Sequence, residues 1–152
     1  MFFSKTFGYA LRGILYIAAR QDQQRTVQAD DISAQLRVPR HFLAKILKTL
    51  SVQGFLVSSK GQRGGFMLAP GVLERPLMDL LVATDGLALF HTCVLRLRSC
   101  DGNNPCPLHA HFSKVQAHIR EVLTGNSIGA FLLEDKTNLL RSLVVESATD
   151  AS

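Results

Sequence analysis

Residues 29–70 read ADDISAQLRVPRHFLAKILKTLSVQGFLVSSKGQRGGFMLAP, and this stretch decides the fold. In Ala29–Leu36 the apolar Ile32 and Leu36 stand one helical turn apart, which predicts a short helix. RVP (37–39) is a turn, and Pro39 suits a first helical position. Beyond it Phe42, Leu43, Ile46, Leu47 and Leu50 recur at three and four, so a second amphipathic helix is expected from Pro39 to about Gln53. Gly54 ends it as a helix C-terminus commonly ends. FLVSS (55–59) and FMLA (66–69) flank the glycine-rich KGQRGG (60–65) and predict a β-hairpin.

Outward from this stretch, Phe7, Ala10, Leu11, Ile14, Leu15, Ile17 and Ala18 give Thr6–Arg20 one broad apolar helical face, followed by the polar QDQQRT (21–26). On the other side, RPLMDLLVATDG (75–86) reads as a helix with Pro76 at its start and Gly86 past its end. LALFHTC (87–93) leads into a cysteine loop, 93–108. A longer helix is expected over about His109–Leu123, stopped by Gly125, and SIGAFLLED (127–135) as a short helix or turn. The expected fold class is mainly α with a small β-hairpin: a winged helix-turn-helix plus a long C-terminal dimerisation helix. Residues 1–72 are expected to be the winged helix-turn-helix DNA-binding region and 73–133 a cluster-binding loop and dimerisation helices of the same domain, for the reasons that follow. Residues 134–152 are expected to be a partly disordered tail.

In a winged helix-turn-helix the second helix of the pair enters the major groove, so its outer face must be polar or basic while its inner face packs. The helix from Pro39 meets that demand. Pro39, Arg40 and His41 at its N-terminal end are placed toward base edges, Lys45 and Lys48 toward phosphates. The hairpin adds Ser59, Lys60, Gln62 and Arg63. Gly61, Gly64 and Gly65 allow positive φ and close backbone approach, and an arginine on such a tip can enter the minor groove. Taken singly each element is an ordinary surface helix or hairpin; their order favours DNA.

Charge agrees. Residues 1–66 hold ten Lys/Arg against three Asp (+7), and residues 67–152 hold seven against nine acids (−2). A basic N-terminal half suits a polyanion. No run of eighteen apolar residues offers a membrane span. Lys5 and Arg12 interrupt the apolar N-terminal stretch, so a cytoplasmic protein without a signal peptide is expected. An enzyme finds little support: no nucleophile–base pair stands out, and GQRGG (61–65) lacks the lysine of a phosphate-binding loop.

The chain's three cysteines lie within CVLRLRSCDGNNPCPLH (93–109). Cys93, Cys100 and Cys106 are separated by six and five residues, and His109 follows the last by three. Three thiolates and an imidazole complete a four-ligand set, and Gly102, Pro105 and Pro107 let the loop bend. Structural zinc accepts this set but usually uses close pairs such as C-x₂-C. The wider spacing suits an iron–sulfur cluster, although such clusters are most often all-cysteine. Free thiols or a redox disulfide pair are the plainer alternatives. Past the loop Phe112, Val115, Ile119 and Val122 recur at three, four and three, a coiled-coil-like seam that fits a homodimer on a two-fold operator.

SKTFGYALRGILYIA (4–18), residues 29–70 and the three-cysteine loop ending in CPLH (106–109), over about residues 3–133, resemble a family of bacterial winged-helix regulators. That family includes the iron–sulfur cluster regulator IscR and the nitric-oxide-sensing repressor NsrR. The resemblance implies a homodimer with one cluster per subunit and DNA affinity that changes with cluster state. It implies Cys93, Cys100, Cys106 and His109 as ligands of a 2Fe–2S cluster. Gly8 stands where the nitric-oxide sensors place an acid that helps hold a 4Fe–4S cluster in the partner subunit, which favours the first kind. Two alternatives stand: a 4Fe–4S nitric-oxide-sensing repressor of the same family, and a zinc-stabilised interaction module with no sensing role. His91 is a candidate substitute ligand; it and His111 are otherwise neighbours of the site.

Overall fold

The computed structural model describes residues 2–20, 26–130 and 132. The expected tail, 134–152, lies outside the described residues. Helix α1 (Lys5–Arg20) buries Phe7, Ala10, Ile14, Leu15 and Ile17, the face its periodicity marks. Helix α2 (Ala29–Leu36) and helix α3 (Arg40–Val52) pack on each other and on α1 through Ile32, Leu36, Leu43, Ile46, Leu47 and Leu50. The turn between them is compact because Arg37 adopts the left-handed conformation (φ 51°). The Ser33 hydroxyl donates to the Val38 carbonyl at 2.7 Å, and Val38 is buried. Pro39 precedes α3 rather than opening it. Its ψ of 129° is not helical, and its carbonyl accepts the Leu43 N–H at 3.0 Å, the position of an N-cap.

Strands β1 (Leu56–Ser59) and β2 (Gly65–Leu68) pair antiparallel, with Leu56 opposite Leu68 and Ser59 opposite Gly65. Val27 adds a single third rung: its N–H and C=O bond Phe66 at 2.9 and 2.8 Å. This rung explains one tip glycine and the turn itself explains another. A Cβ on Gly65 would stand 2.6 Å from the Val27 carbonyl, and one on Gly64 2.3 Å from the Ser59 carbonyl. These glycines are required by the wing's own backbone, a constraint independent of any ligand. Alanine at either is expected to cost about 1–3 kcal/mol through overpacking. Gly8 lies inside α1 with open space where an added Cβ would sit, and is expected to gain about 0.5–1 kcal/mol as alanine. Urea unfolding of the three variants checks both signs.

After Gly71 (φ 75°) a 3₁₀ turn, Val72–Glu74, leads to helix α4 (Leu77–Thr84), which buries Leu77, Met78, Leu80 and Leu81. Ser4 donates to the Asp85 carboxylate through its N–H (2.9 Å) and its hydroxyl (2.5 Å), tying the start of α1 to the end of α4. A second 3₁₀ turn, Ala88–Phe90, precedes the cysteine loop, and helix α5 (His109–Gly125) follows it. Beyond α5 the chain returns to the core: Ile128 is fully buried, and Ile128 and Gly129 donate to the Arg75 and Leu73 carbonyls, both at 2.8 Å. The two 3₁₀ turns and the Val27 rung are absent from the pattern read in the sequence. Each is too short to carry a period.

Candidate nucleic-acid interface and metal site

Helix α3 turns Arg40, His41, Lys45 and Lys48 to solvent, with Pro39 exposed just ahead of them. The tip of the wing presents Ser59, Lys60, Gln62 and Arg63, all exposed. Every residue expected to read DNA is therefore on the surface. Arg40 differs from the rest: its Nε pairs with the Asp30 carboxylate of α2. An arginine engaged in this way contributes less free charge to a groove, and an exposed pair of this kind adds little stability. Asp30 falls where a solvated acid at the start of a helix is unremarkable, so only the packing of α2 on α3 reveals the pairing.

The cysteine loop brings its thiols together. The Sγ atoms of Cys93, Cys100 and Cys106 all lie within 4.8 Å of one another, each half-buried. Cys93 and Cys106 are 3.8 Å apart. His109, the first residue of α5, sets its Nδ1 3.3 Å from Cys100 Sγ. Spacing along the chain pairs His109 with Cys106; in space its sulfur neighbour is Cys100, whose thiol also accepts the Cys106 N–H at 3.4 Å. The loop is shaped by Asp101. Its carboxylate accepts the N–H groups of Asn103 and Asn104, both at 2.8 Å, and Asn104 and then Asn103 hold it below the usual carboxylate range. Asn104 in turn donates to the Ser99 carbonyl at 3.0 Å. The Asp101 role escapes a search for metal donors, yet the DGNN run (101–104) carries the Asx-turn signature that marks it.

The thiols differ electrostatically. Hydrogen bonding from the Leu97 backbone, helped by Leu95, outweighs the loss of water and lowers Cys93. At Cys100 the Cys106 backbone N–H lowers the thiol, but desolvation and the adjoining thiols of Cys106 and Cys93 together prevail and raise it. A cavity of about 340 Å³ opens beside the sulfurs, lined among others by Phe90, His91, Phe112, Gln116 and Arg120. Arg120 stacks on Phe90 with 4.4 Å from Cζ to ring centroid, and Gln116 donates to the Leu89 carbonyl at 2.8 Å. These two contacts fix α5 against the turn that leads into the loop. His91 is exposed at the cavity edge; His111 is exposed on α5 and does not line it.

The family model for Rrf2, described as an iron-dependent transcriptional regulator, matches residues 3–133. The chain belongs to the Rrf2 family. It is 32% identical over 130 residues to a protein of Aquifex aeolicus named for a helix-turn-helix transcriptional regulator, covering 84% of this chain and 89% of that one. It is 29% identical over 139 residues to the helix-turn-helix regulator NsrR of Geobacillus kaustophilus, covering 91% and 92%. Two solved structures share the fold. CymR, the global cysteine regulator of B. subtilis, superposes with a TM-score of 0.67 at 16% identity, covering 84% of this chain and 93% of that one. IscR of T. potens superposes with 0.66 at 18% identity, covering 86% and 85%.

This Rrf2 protein is thus a helix-turn-helix transcription regulator, and its relatives are named for regulation rather than for an enzymatic activity. The mainly helical fold with a two-stranded wing is the one expected. No helix among the described residues is long and apolar enough to cross a membrane. On α5 the apolar stripe divides. Phe112 and Ile119 are half-buried, Phe112 at the cysteine cavity and Ile119 against the core, whereas Val115 and Val122 are 42% and 45% exposed. Val94, Leu95 and Leu97 of the cysteine loop are also exposed.

Proposed function

We propose that this Rrf2 regulator binds operator DNA as a homodimer and that an iron–sulfur cluster held by Cys93, Cys100, Cys106 and His109 controls its affinity. The observation that carries the reading is the convergence of three thiols from a fourteen-residue loop on one another, with His109 at the start of α5 meeting one of them, Cys100. A tetrahedral ion with metal–sulfur bonds of about 2.3 Å holds two thiolates roughly 3.8 Å apart, the separation of Cys93 and Cys106. The three thiols therefore fit a metal centre, and the adjoining cavity gives a cluster room. When bound, such a cluster supplies a centre whose redox state or integrity can report on oxidants, iron–sulfur status or nitric oxide. Three sulfurs and one nitrogen, with Gly8 in place of an acid, favour 2Fe–2S over 4Fe–4S.

A zinc-stabilised module is the second reading, and one observation favours it: all three sulfurs lie within the span of a single ion. Iron, sulfide and zinc content of protein purified without air, with its visible spectrum, separates the two. Iron and sulfide in equal amounts support the cluster; stoichiometric zinc with a colourless protein overturns it. The dimer is supported by the exposed Val115, Val122 and loop apolars, which a partner would cover.

On DNA, Lys45, Lys48 and Lys60 serve as phosphate contacts in this reading and Arg63 as a minor-groove contact. Alanine at any of the lysines is expected to weaken binding to all duplexes and to lower the salt slope by roughly one unit. Arg63→Ala is expected to cost about 1–3 kcal/mol on a selected operator and little on scrambled DNA. Titrations on both duplexes at several salt concentrations check both; equal losses at Arg63 on the two duplexes make it a phosphate anchor instead.

A further inference from the structure

We infer that Thr26 and Gln28 are positioning residues for the wing tip, holding Gln62 and Arg63 at a fixed height and angle relative to the reading helix; this rests on the DNA-binding reading above. Two side chains reach the tip backbone from the segment that enters α2. The Thr26 hydroxyl donates to the Arg63 carbonyl at 2.8 Å, and the Gln28 side-chain amide donates to the Gln62 carbonyl at 3.3 Å. Between them Val27 makes the two backbone bonds to Phe66.

The placement matters because Gln62 and Arg63 lie beyond the strand pairing. The strands end at Ser59 and Gly65, and among the backbone bonds within the intervening turn is Gly64 N–H to the Gly61 carbonyl at 3.0 Å. Gly61 sits at φ +102°, where a side chain is strained and a glycine has wide freedom. Both tether bonds are exposed, so they do little for the core. Their effect is on entropy: an unrestrained tip would have to be ordered each time Arg63 enters a groove. The tethers settle that ordering before binding. They also set its geometry against α3, since the Gln28 carbonyl accepts the Ile32 N–H in the first turn of α2, and α2 packs on α3. A side chain that acts in this way should influence DNA only through the residue it positions.

The test uses the full chain, with a duplex selected from a random pool and its scrambled counterpart, at one salt concentration. Thr26→Val and Gln28→Leu keep size and remove the donor. Each is expected to weaken binding to the selected duplex about 3- to 10-fold, the net value of one hydrogen bond, and to leave the scrambled duplex unchanged. Thr26→Ser should bind as the wild type does. In an Arg63→Ala background the Thr26→Val loss should shrink to near nothing, because the positioned group is gone. A Thr26→Val protein with wild-type affinity, the same loss with and without Arg63, or an equal loss on both duplexes overturns the assignment. Amide exchange at residues 61–64 reads the tethers without DNA, and faster exchange is expected in both variants. If the wild type selects no duplex from the pool, the DNA-binding reading fails. The exchange result still decides whether the tethers hold the tip, and unchanged exchange in both variants overturns the inference.

Discussion

Cys100→Ala purified without air is expected to carry almost no iron and to lose the visible absorption of the wild type. Cys100 is the sulfur that ties the site together: it meets His109 Nδ1 at 3.3 Å, accepts the Cys106 N–H at 3.4 Å and lies within 4.8 Å of both other sulfurs. Removing it takes away a soft donor and opens a gap that water fills poorly as a substitute. Cys93→Ala and Cys106→Ala are expected to behave alike, because each leaves only two thiolates. His109→Ala should differ, retaining a weakened or spectrally shifted centre, since a nitrogen donor at the edge of the set is more easily replaced by solvent or by His91. The measurement is iron and sulfide per chain together with the visible spectrum. Full iron and an unchanged spectrum in Cys100→Ala remove it from the ligand set. Wild-type iron in His109→Ala with loss in His91→Ala moves the fourth ligand to His91.

Phe55→Ala is expected to destabilise the fold by about 3–5 kcal/mol, the range for truncating a buried aromatic. Phe55 is fully buried where α3 gives way to the wing, and its backbone closes both: its N–H donates to the Leu50 carbonyl at 2.8 Å and its carbonyl accepts the Ala69 N–H at 3.0 Å. The Arg75 guanidinium lies 3.8 Å from its ring centroid and is held there by Asp79 at 3.0 Å. Alanine therefore leaves a cavity and removes the face on which Arg75 stacks. Phe55→Leu, which keeps most of the volume, is expected to lose less, about 1–2 kcal/mol, and Val57→Ala, 45% exposed on β1, within about 0.5 kcal/mol of zero. Urea unfolding followed by circular dichroism orders the three. A Phe55→Ala protein less affected than Phe55→Leu would show that the junction relaxes into the space.

The helices were legible because their evidence is local. Leu43, Ile46, Leu47 and Leu50 repeat at helical spacing in the chain and are buried together in space, since a helix maps i, i+3 and i+4 onto one face by its own geometry. The hairpin followed from its flanking strands and glycine-rich turn, and the cysteine loop from three thiols in fourteen residues. Family membership rested on those stretches in their order, and the family match covers the same residues, 3–133.

What neighbours along the chain set could thus be read from the residues alone: the order of the helices and strands, the buried faces of α1, α2 and α3, the basic N-terminal half and the close spacing of the three cysteines. Pairings between one segment and another came from tertiary packing. Packing set the His109 ring against the Cys100 sulfur and joined Asp30 to Arg40. It closed Gly65 against Val27 and divided the α5 stripe between its own core and solvent. None of these carries a period, because each depends on how loops close and on which distant element arrives alongside. Spacing along the chain limits that outcome, and only the packed core selects it.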